Sequence, residues 1–487
     1  MEGSDGAMRD SIKLLETMAR PLEPDERERE KLTQAMVRYS EEYLRHLKSL
    51  PVYRESETKG IGLLQSAIQD EPIDTVKALE LLRSNVDEPG LNPASGGHLG
   101  YIPGGGIFHA AVGDYLAAVT NRYAGVFYAS PGAVRMENML LKWMAEIIDY
   151  PQSAGGNLTS GGSLANLIGI VAARDEFDLK GHDLEKTVIY LTKQAHHSIE
   201  KAIRIAGLKE CLVRFVPLDD RYRMKPSELE RAIIADRASG LNPWLIIASA
   251  GTTDVGAVDP LREIGAIAQK HRLWFHLDAA YGGFFVLSDS GKMILEGMNT
   301  SDSIVMDPHK GLFLPYGSGA VLVKNKDKLL ASHRYEANYM QDALSSTDEL
   351  SPADLSPELS KHFRGLRLWL PLKLIGLKAF RACLEEKILL ARYFYEKVQG
   401  IEGIEVGPSP ELSVVTFRFL PDSGDANEFN KRLVHEIQKD GRVFLSSTVL
   451  DGDFTLRLAV LSFRTHLDTI DLAIEILKEK IEMVKKG

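Results

Sequence analysis

Leu273-Trp274-Phe275-His276-Leu277-Asp278-Ala279-Ala280-Tyr281-Gly282-Gly283 is the stretch on which the fold turns. A short apolar run, closed by a carboxylate and then by small residues, describes a strand covered on both faces as it reaches the edge where open α/β sheets bind ligands. Runs of the same kind recur at 187–191, 213–216, 244–248, 303–306 and 319–323, and helix-length segments at 226–238 and 261–271 lie between some of them. Buried strands alternating with helices predict an α/β domain with a mostly parallel central sheet.

The polar residues of chemical interest fall where these strands end. Asp278, if buried, needs a cationic partner, and Ala280 leaves room for a flat ring close to the backbone; the plainer reading is an aspartate capping the next helix. The following strand runs into Asp307-Pro308-His309-Lys310-Gly311. A lysine at a buried strand end has its charged form disfavoured, and the neutral amine is what attacks an aldehyde; a surface lysine just past the strand is the alternative. Upstream, Gly155-Gly-Asn-Leu-Thr159-Ser160-Gly161-Gly162-Ser163-Leu-Ala165-Asn166 enters an apolar helical run. Gly162 and Ser163 at a helix start offer amide donors and a hydroxyl to a phosphate, although many glycine-rich helix starts are only turns. No Gly-Lys-Ser/Thr follows, so this is not a nucleotide P-loop. A further hydroxyl, Ser303, precedes the lysine on its own strand and is read as reaching the same phosphate. Lys193-Gln-Ala-His196-His197-Ser198 opens another helix. Adjacent histidines do not share a helical face, which excludes a metal pair; His196 either stacks on a ring or caps its helix. A loop at 250–260 contains Gly251-Thr252-Thr253 and follows another apolar strand. An anion cradle, a partner for a ring cation, a stacking imidazole and an amine together describe a site for pyridoxal phosphate.

Composition supports an enzyme body and argues against other classes. The chain has 487 residues, 44% of them hydrophobic and 26% charged, which suits a globular protein with a substantial core. Lys plus Arg number 58 against 68 Asp plus Glu, a formal charge of −10, so nucleic acid or an anionic membrane is not the expected partner. Two distant cysteines, Cys211 and Cys383, exclude a disulfide framework and a cysteine-rich metal site. With no signal-peptide pattern at the N-terminus and no long apolar run, a cytoplasmic location is expected. In the first 50 residues Leu32, Met36, Tyr39, Tyr43, Leu47 and Leu50 recur at helical spacing; Pro24-Asp25-Glu26 marks a helix start and Pro51 ends the pattern. The glycine- and proline-rich segment 92–106 reads as a boundary and loop, and the polar stretch 335–359 as a long mobile loop. Helix resumes near Phe363 and continues to about Gln399. Strands at 414–419 and 455–460, with helices at 427–439 and 467–485, predict a small α+β terminal domain.

The sequence resembles the pyridoxal-phosphate-dependent group II amino-acid decarboxylases, the family that includes the aromatic-L-amino-acid decarboxylases. The resemblance rests on the runs at 160–166 and 195–202, Gly-Thr-Thr at 251–253, His-Leu-Asp-Ala-Ala-Tyr at 276–281 and Asp-Pro-His-Lys at 307–310, in the family's order and spacing. It implies a fold-type-I, aspartate-aminotransferase-like large domain at 91–370, an N-terminal helical arm at 1–90 wrapped on a partner subunit in a homodimer, and a small α+β domain at 371–487. It further implies that Lys310 tethers the cofactor covalently, Asp278 pairs with the ring nitrogen, His196 stacks over the ring and Ala280 packs on its other face. Gly162, Ser163, Ser303 and His309 would hold the phosphate, with Thr253 near the ring oxygen. A tyrosine on a mobile lid, 335–360, delivers the proton to Cα; Tyr339 occupies the matching position, with Tyr335 in the same segment.

For the substrate side chain, Tyr101-Ile102-Pro103 matches the segment lining the aromatic pocket, with Phe127 and Tyr128 as candidate aromatic walls and Gly104 suggesting a roomier rim; ordinary core packing is the alternative reading for all of them. Gly311 stands where animal members often carry tryptophan. The implied activity is decarboxylation of an aromatic L-amino acid. An acidic-amino-acid decarboxylase of the same group is the nearest alternative, and a non-catalytic cofactor-binding member the alternative of another class.

Overall fold

The computed structural model describes residues 2–334 and 349–486, and the chain divides into two compact units, Met1–Asn92 and Pro93–Gly487. In the first, helices span Glu2–Ala19 and Glu26–His46. The second starts where the sequence places a start: Asp25 accepts the Glu28 N–H at 2.8 Å and the Glu28 carboxylate accepts the Asp25 N–H at 2.9 Å, so two otherwise unpaired amides are satisfied reciprocally. It stops at His46, short of Pro51, with Arg45 and His46 in its last turn complementing the helix dipole. Part of its apolar stripe remains open: Leu32 is 49% and Met36 38% exposed. A short ladder between β1 (Tyr53–Arg54) and β2 (Gly90–Leu91) closes the unit.

The second unit is built on a seven-stranded sheet comprising β3 (Gly155–Thr159), β4 (Thr187–Leu191), β5 (Leu212–Phe215), β6 (Asn242–Ser249), β7 (Trp274–Asp278), β8 (Ser303–Met306) and β9 (Gly319–Val323), in the order β3-β9-β8-β7-β6-β4-β5. Only β9 runs against the others. The predicted strands and the helices Pro226–Ala238 and Leu261–His271 are present. β3 is a strand that the sequence reading did not name: Gly155 through Thr159, which it took only as the lead into a helical run, pair residue by residue with β9. Because β3, β7 and β8 share a direction, the helix after β3, the Asp278 turn and the Lys310 turn all emerge at the same edge of the sheet.

Side chains alternate across β7. Phe275 and Leu277 enter the apolar core on one face, whereas Trp274 packs in the core on the other, under the helix Gly162–Glu176. The two-residue period of a strand therefore puts Trp274, His276 and Asp278 on one face.

The helical stretch after Phe363 is two helices, Arg364–Ile375 and Leu377–Gln399, separated at Gly376. A second, antiparallel sheet has the order β10-β11-β13-β12, from β10 (Ile404–Val406), β11 (Val414–Phe419), β12 (Ser446–Leu450) and β13 (Asp453–Ala459). It packs on Ala426–Asp440, Leu467–Lys486 and Leu377–Gln399 around Phe394, Phe417, Leu433 and Leu456. Among the described residues no helix is long and apolar enough to cross a membrane.

Candidate active site

A cavity of about 280 Å³ opens at the carboxyl edge of the large sheet. Gly162, Ser163, His196, Thr253, Asp278, Ala280, His309 and Lys310 all line it, so one chamber collects residues spread over some 150 positions of sequence (310 − 162 = 148). The ladder continues past the strand ends and fixes the turns: Ala279 N–H donates to Val305 O at 3.0 Å, Asp307 N–H to Ala280 O at 3.1 Å and Ala250 N–H to Asp278 O at 2.9 Å.

Asp278 is 8% exposed. One carboxylate oxygen accepts the Ala280 N–H at 3.1 Å and the other the Asn166 side-chain amide at 3.1 Å. Both donors are neutral, and no ion pair to Asp278 occurs among the described residues. A buried carboxylate in that condition calls for a cation from a ligand. Lys310 Nζ sits 3.2 Å from Asp307 Oδ2. The other oxygen of Asp307 and Oε1 of Gln194, a second lining residue, are buried without a hydrogen-bond partner. Unpaired buried acceptors inside a polar chamber are the mark of a site completed by a ligand that brings donors.

Gly162 is the first residue of its helix, whose early amides have no intrahelical acceptor and face an anion favourably. A Cβ on Gly162 would lie 2.9 Å from Asp307 Oδ2 and 3.2 Å from the Ala280 methyl. The helix therefore starts in contact with both neighbouring turns only because this position is glycine. His309 donates Nδ1–H to Ser318 O at 2.6 Å, which leaves Nε2 facing the carboxylate of Asp307 at 3.7 Å. Burial lowers the pKa of His309. The residues fit pyridoxal phosphate: amide donors and a hydroxyl for its phosphate, a bare carboxylate for its ring nitrogen, and an amine for its aldehyde.

His196 caps its helix and also lines the chamber. Its Nδ1 accepts the Ser198 N–H at 3.2 Å, at the start of the helix His197–Ile205. Burial lowers its pKa, the opposing pull of Asp278 being the smaller effect.

Ser303 is a correction. It opens β8, the strand whose far end leads to Lys310, and its fully buried hydroxyl bonds Trp274 Nε1 at 2.8 Å and His276 Nδ1 at 2.7 Å. It does not reach the chamber. The substrate-pocket residues are not brought into the chamber either. Tyr101 and Tyr128 are exposed, Phe127 is buried under the Arg135 guanidinium, Ile102 packs against the apolar core and Pro103 is buried, none of them lining the chamber. Gly104 does not widen a rim; a Cβ there would lie 2.0 Å from His309 O, so glycine lets the 98–107 segment press on the Lys310 turn. Tyr339 and Tyr335 lie outside the described residues.

Sequence reasoning assigned no role to several lining residues: Asn166, Gln194, Ser198 and Asp307. For Asn166 a signal existed, since it stands four residues after Gly162 and so on the same helical face. Arg457, on β13, was also missed. Its Nη1 donates to Tyr101 O at 2.9 Å and its Nε to Asp254 O at 3.1 Å, tying the 101 segment to the Gly-Thr-Thr loop. Its remaining Nη2 is buried without a partner, and burial lowers its pKa to about 10.

Residues 56–420 match the model of the pyridoxal-dependent decarboxylase conserved domain. An aromatic-L-amino-acid decarboxylase of Bacillus atrophaeus is 32% identical over 91% of this chain and 94% of its own length. A phenylacetaldehyde synthase of Petunia hybrida is 30% identical over 92% and 93%. Among solved structures, that of Oryza sativa TDC with PLP and tryptamine superimposes with a TM-score of 0.89 at 27% identity, covering 95% of this chain and 99% of that one.

Proposed function

The chain belongs to the pyridoxal-dependent decarboxylase family, and on that premise we propose that it converts an aromatic L-amino acid to its amine and carbon dioxide, in the cytoplasm and as a homodimer whose N-terminal arm packs on the partner subunit. The observation that carries the proposal is Asp278: a buried carboxylate held by neutral donors, lining the same chamber as an amine and a helix start. Lys310 would hold pyridoxal phosphate through its amine, Gly162, Ser163 and His309 its phosphate, and Asp278 its ring nitrogen, between His196 and Ala280, with Thr253 at the ring oxygen. Bound there, the group supplies an electron sink for the charge left on Cα when the carboxylate departs.

The chain's own residues then have separate tasks. Asp278 stabilises a positive charge at the ring nitrogen, an electrostatic effect strengthened by its burial. Asp307 holds the Lys310 amine at one end of the chamber. His196, kept neutral by burial, presents an uncharged imidazole where a cation would compete for Asp278. Tyr339 would deliver the proton to Cα; its phenylalanine variant is expected to release less amine and, with dioxygen as the oxidant and ammonia as co-product, more aldehyde.

A second reading has one observation in its favour. Arg457, which does not line the chamber, is a buried cation with an unpaired nitrogen, bonded to the carbonyl of Tyr101, and it would suit an acidic side chain that reaches beyond the chamber. The test is carbon dioxide release from tryptophan, tyrosine, phenylalanine, dihydroxyphenylalanine and glutamate by protein reconstituted with pyridoxal phosphate. Turnover of the aromatic set supports the proposal, and turnover of glutamate alone replaces it with the second reading. Yellow protein that bleaches with borohydride yet releases no carbon dioxide from any of them identifies a non-catalytic cofactor-binding protein.

A further inference from the structure

Beneath Asp278 a chain of buried polar groups leads away from the chamber, which it meets at Asn166. Trp274 is 2%, Ser303 0%, His276 0% and Asn166 1% exposed. Indole Nε1 can only donate, and it donates to Ser303 Oγ at 2.8 Å. At the other end, the Asn166 amide must present its nitrogen to the carboxylate of Asp278, because the reverse orientation would set two acceptors against each other; Nδ2 lies 3.1 Å from Asp278 Oδ2. Asn166 Oδ1 is thereby turned to His276 Nε2, 2.9 Å away, and a carbonyl oxygen accepts only. His276 must carry its proton on Nε2. Its Nδ1, 2.7 Å from Ser303 Oγ, is then the acceptor of the serine proton. Burial, which lowers the His276 pKa to about 4, keeps this imidazole in the neutral form that the arrangement requires.

The second hydrogen of the Asn166 amide goes to Ser198 Oγ at 3.2 Å. Ser198 in turn has its hydroxyl 2.7 Å from His196 Nδ1, and its backbone N–H donates to the same nitrogen. His196 Nδ1 is therefore an acceptor, and the neutral ring carries its proton on Nε2. All donors point one way, from Trp274 through Ser303 and His276 to Asn166, which splits the path toward Asp278 and toward His196.

We propose that His276 and Asn166 are positioning residues: a one-way hydrogen-bond relay along the covered face of β7 sets the orientation of the Asp278 carboxylate and the tautomer of His196 together. The inference rests on the function proposed above, in which these two groups flank the cofactor ring. Asp278 has one oxygen fixed by the Ala280 N–H, so the Asn166 amide decides the plane of the carboxylate. The sequence shows why the relay fits here. Position 276 stands between 274 and 278 on one strand face, and Gly169 gives the imidazole its space, since a Cβ there would lie 2.7 Å from His276 Cε1.

The test compares His276→Asn with His276→Gln. Asparagine keeps a polar group at the Ser303 end and loses the donor to Asn166, whereas glutamine restores an N–H near Nε2. Apo-protein titrated with pyridoxal phosphate is expected to bind it about 10–100-fold more weakly in His276→Asn. Its absorption bands should shift in ratio, and kcat should fall with KM nearly unchanged; His276→Gln should recover most of each. Ser303→Ala, a small change remote from the chamber, should weaken binding about 3–10-fold by releasing the far end of the relay. Wild-type affinity and band ratio in both His276→Asn and Ser303→Ala would overturn the relay while leaving the proposed function intact, and so would equal losses in His276→Asn and His276→Gln. Wild-type protein that takes up no pyridoxal phosphate would overturn both.

Discussion

The two sheets of the larger unit each bury a side-chain amide, and the two amides differ in what they leave over. Asn430, beside β11, is 0% exposed and spends all its capacity on backbone: Oδ1 accepts the Phe419 N–H at 2.8 Å, and Nδ2 donates to Phe419 O at 2.8 Å and Ala426 O at 2.7 Å. Asn166, under the large sheet, is equally buried but bonds only side chains, His276, Ser198 and Asp278. The first is a closed local account; the second ends on a carboxylate that still wants a cation. Topology explains the contrast. In the antiparallel sheet neighbouring strand ends alternate, so its loops divide between two edges. In the large sheet, β3, β7 and β8 deliver a helix start, an aspartate and a lysine to one edge, where polar groups from distant parts of the sequence remain unpaired together.

The contrast is broken most severely at the lysine. Lys310→Ala removes the only amine proposed to carry the cofactor, and turnover is expected to fall by roughly a thousand-fold or more while the fold persists, because the side chain is partly exposed and among the described residues its one ion pair is with Asp307. Carbon dioxide release and the loss of the borohydride-sensitive colour measure it; a variant that keeps the colour breaks the distinction between the two edges. Asp278→Asn is next. It preserves volume but removes the charge and replaces one acceptor oxygen by an NH2 that faces the Ala280 N–H or the Asn166 amide, and the expected loss in kcat is about 10²–10³-fold, the usual scale for deleting one preorganised electrostatic contact. Thermal stability should stay near wild type, since relief of the uncompensated buried charge in the apo-protein offsets the lost acceptor.

Much of the site could be read from residues because the chemistry needs particular atoms at strand ends, and strand ends show as breaks in apolar runs. Asp278, Lys310, His196 and Gly162 all stand at such breaks. Ser303 shows the limit. It lies seven positions before Lys310 (310 − 303), but a strand intervenes, and at about 3.3 Å per residue the four residues of β8 carry the hydroxyl to the opposite end. The strand β3 escaped for another reason: its glycines are breakers on a local reading, and only pairing with β9 makes them a strand. The edge strands β10 and β12 are short and half-exposed, so they carry little apolar signal. The relay was invisible because hydrogen-bond direction depends on which groups meet across three elements, although its period-two spacing along β7 was on view throughout.

A smaller effect sharpens the comparison without touching a polar atom. Gly169→Ala puts a methyl 2.7 Å from His276 Cε1, so the imidazole must move. Alanine is the better helix former by about 0.8–1 kcal/mol, and on propensity alone the helix should gain. If His276 serves only as packing, relaxation should absorb the methyl with little effect on cofactor binding. If it transmits orientation to Asp278, affinity for pyridoxal phosphate should drop about tenfold, by analogy with outer-shell mutations at other sites. Titration of the apo-protein separates the two.

Asn430→Ala is the counter-case, with the smallest expected effect on catalysis. Removing a fully satisfied amide leaves the Phe419 N–H and O without their partners, and each buried group left unmade costs about 1–3 kcal/mol. The melting temperature should fall by several degrees. Turnover per folded molecule should not change, because no part of that amide's bonding leads to the chamber. A loss of kcat in Asn430→Ala at a temperature where the protein is fully folded would mean that the small sheet communicates with the site, and the division between a self-satisfied amide and one that points at chemistry would have to be abandoned. The decisive control is to measure both amides in one protein: Asn166→Leu should lose cofactor affinity out of proportion to its loss of stability, and Asn430→Ala stability out of proportion to its loss of affinity.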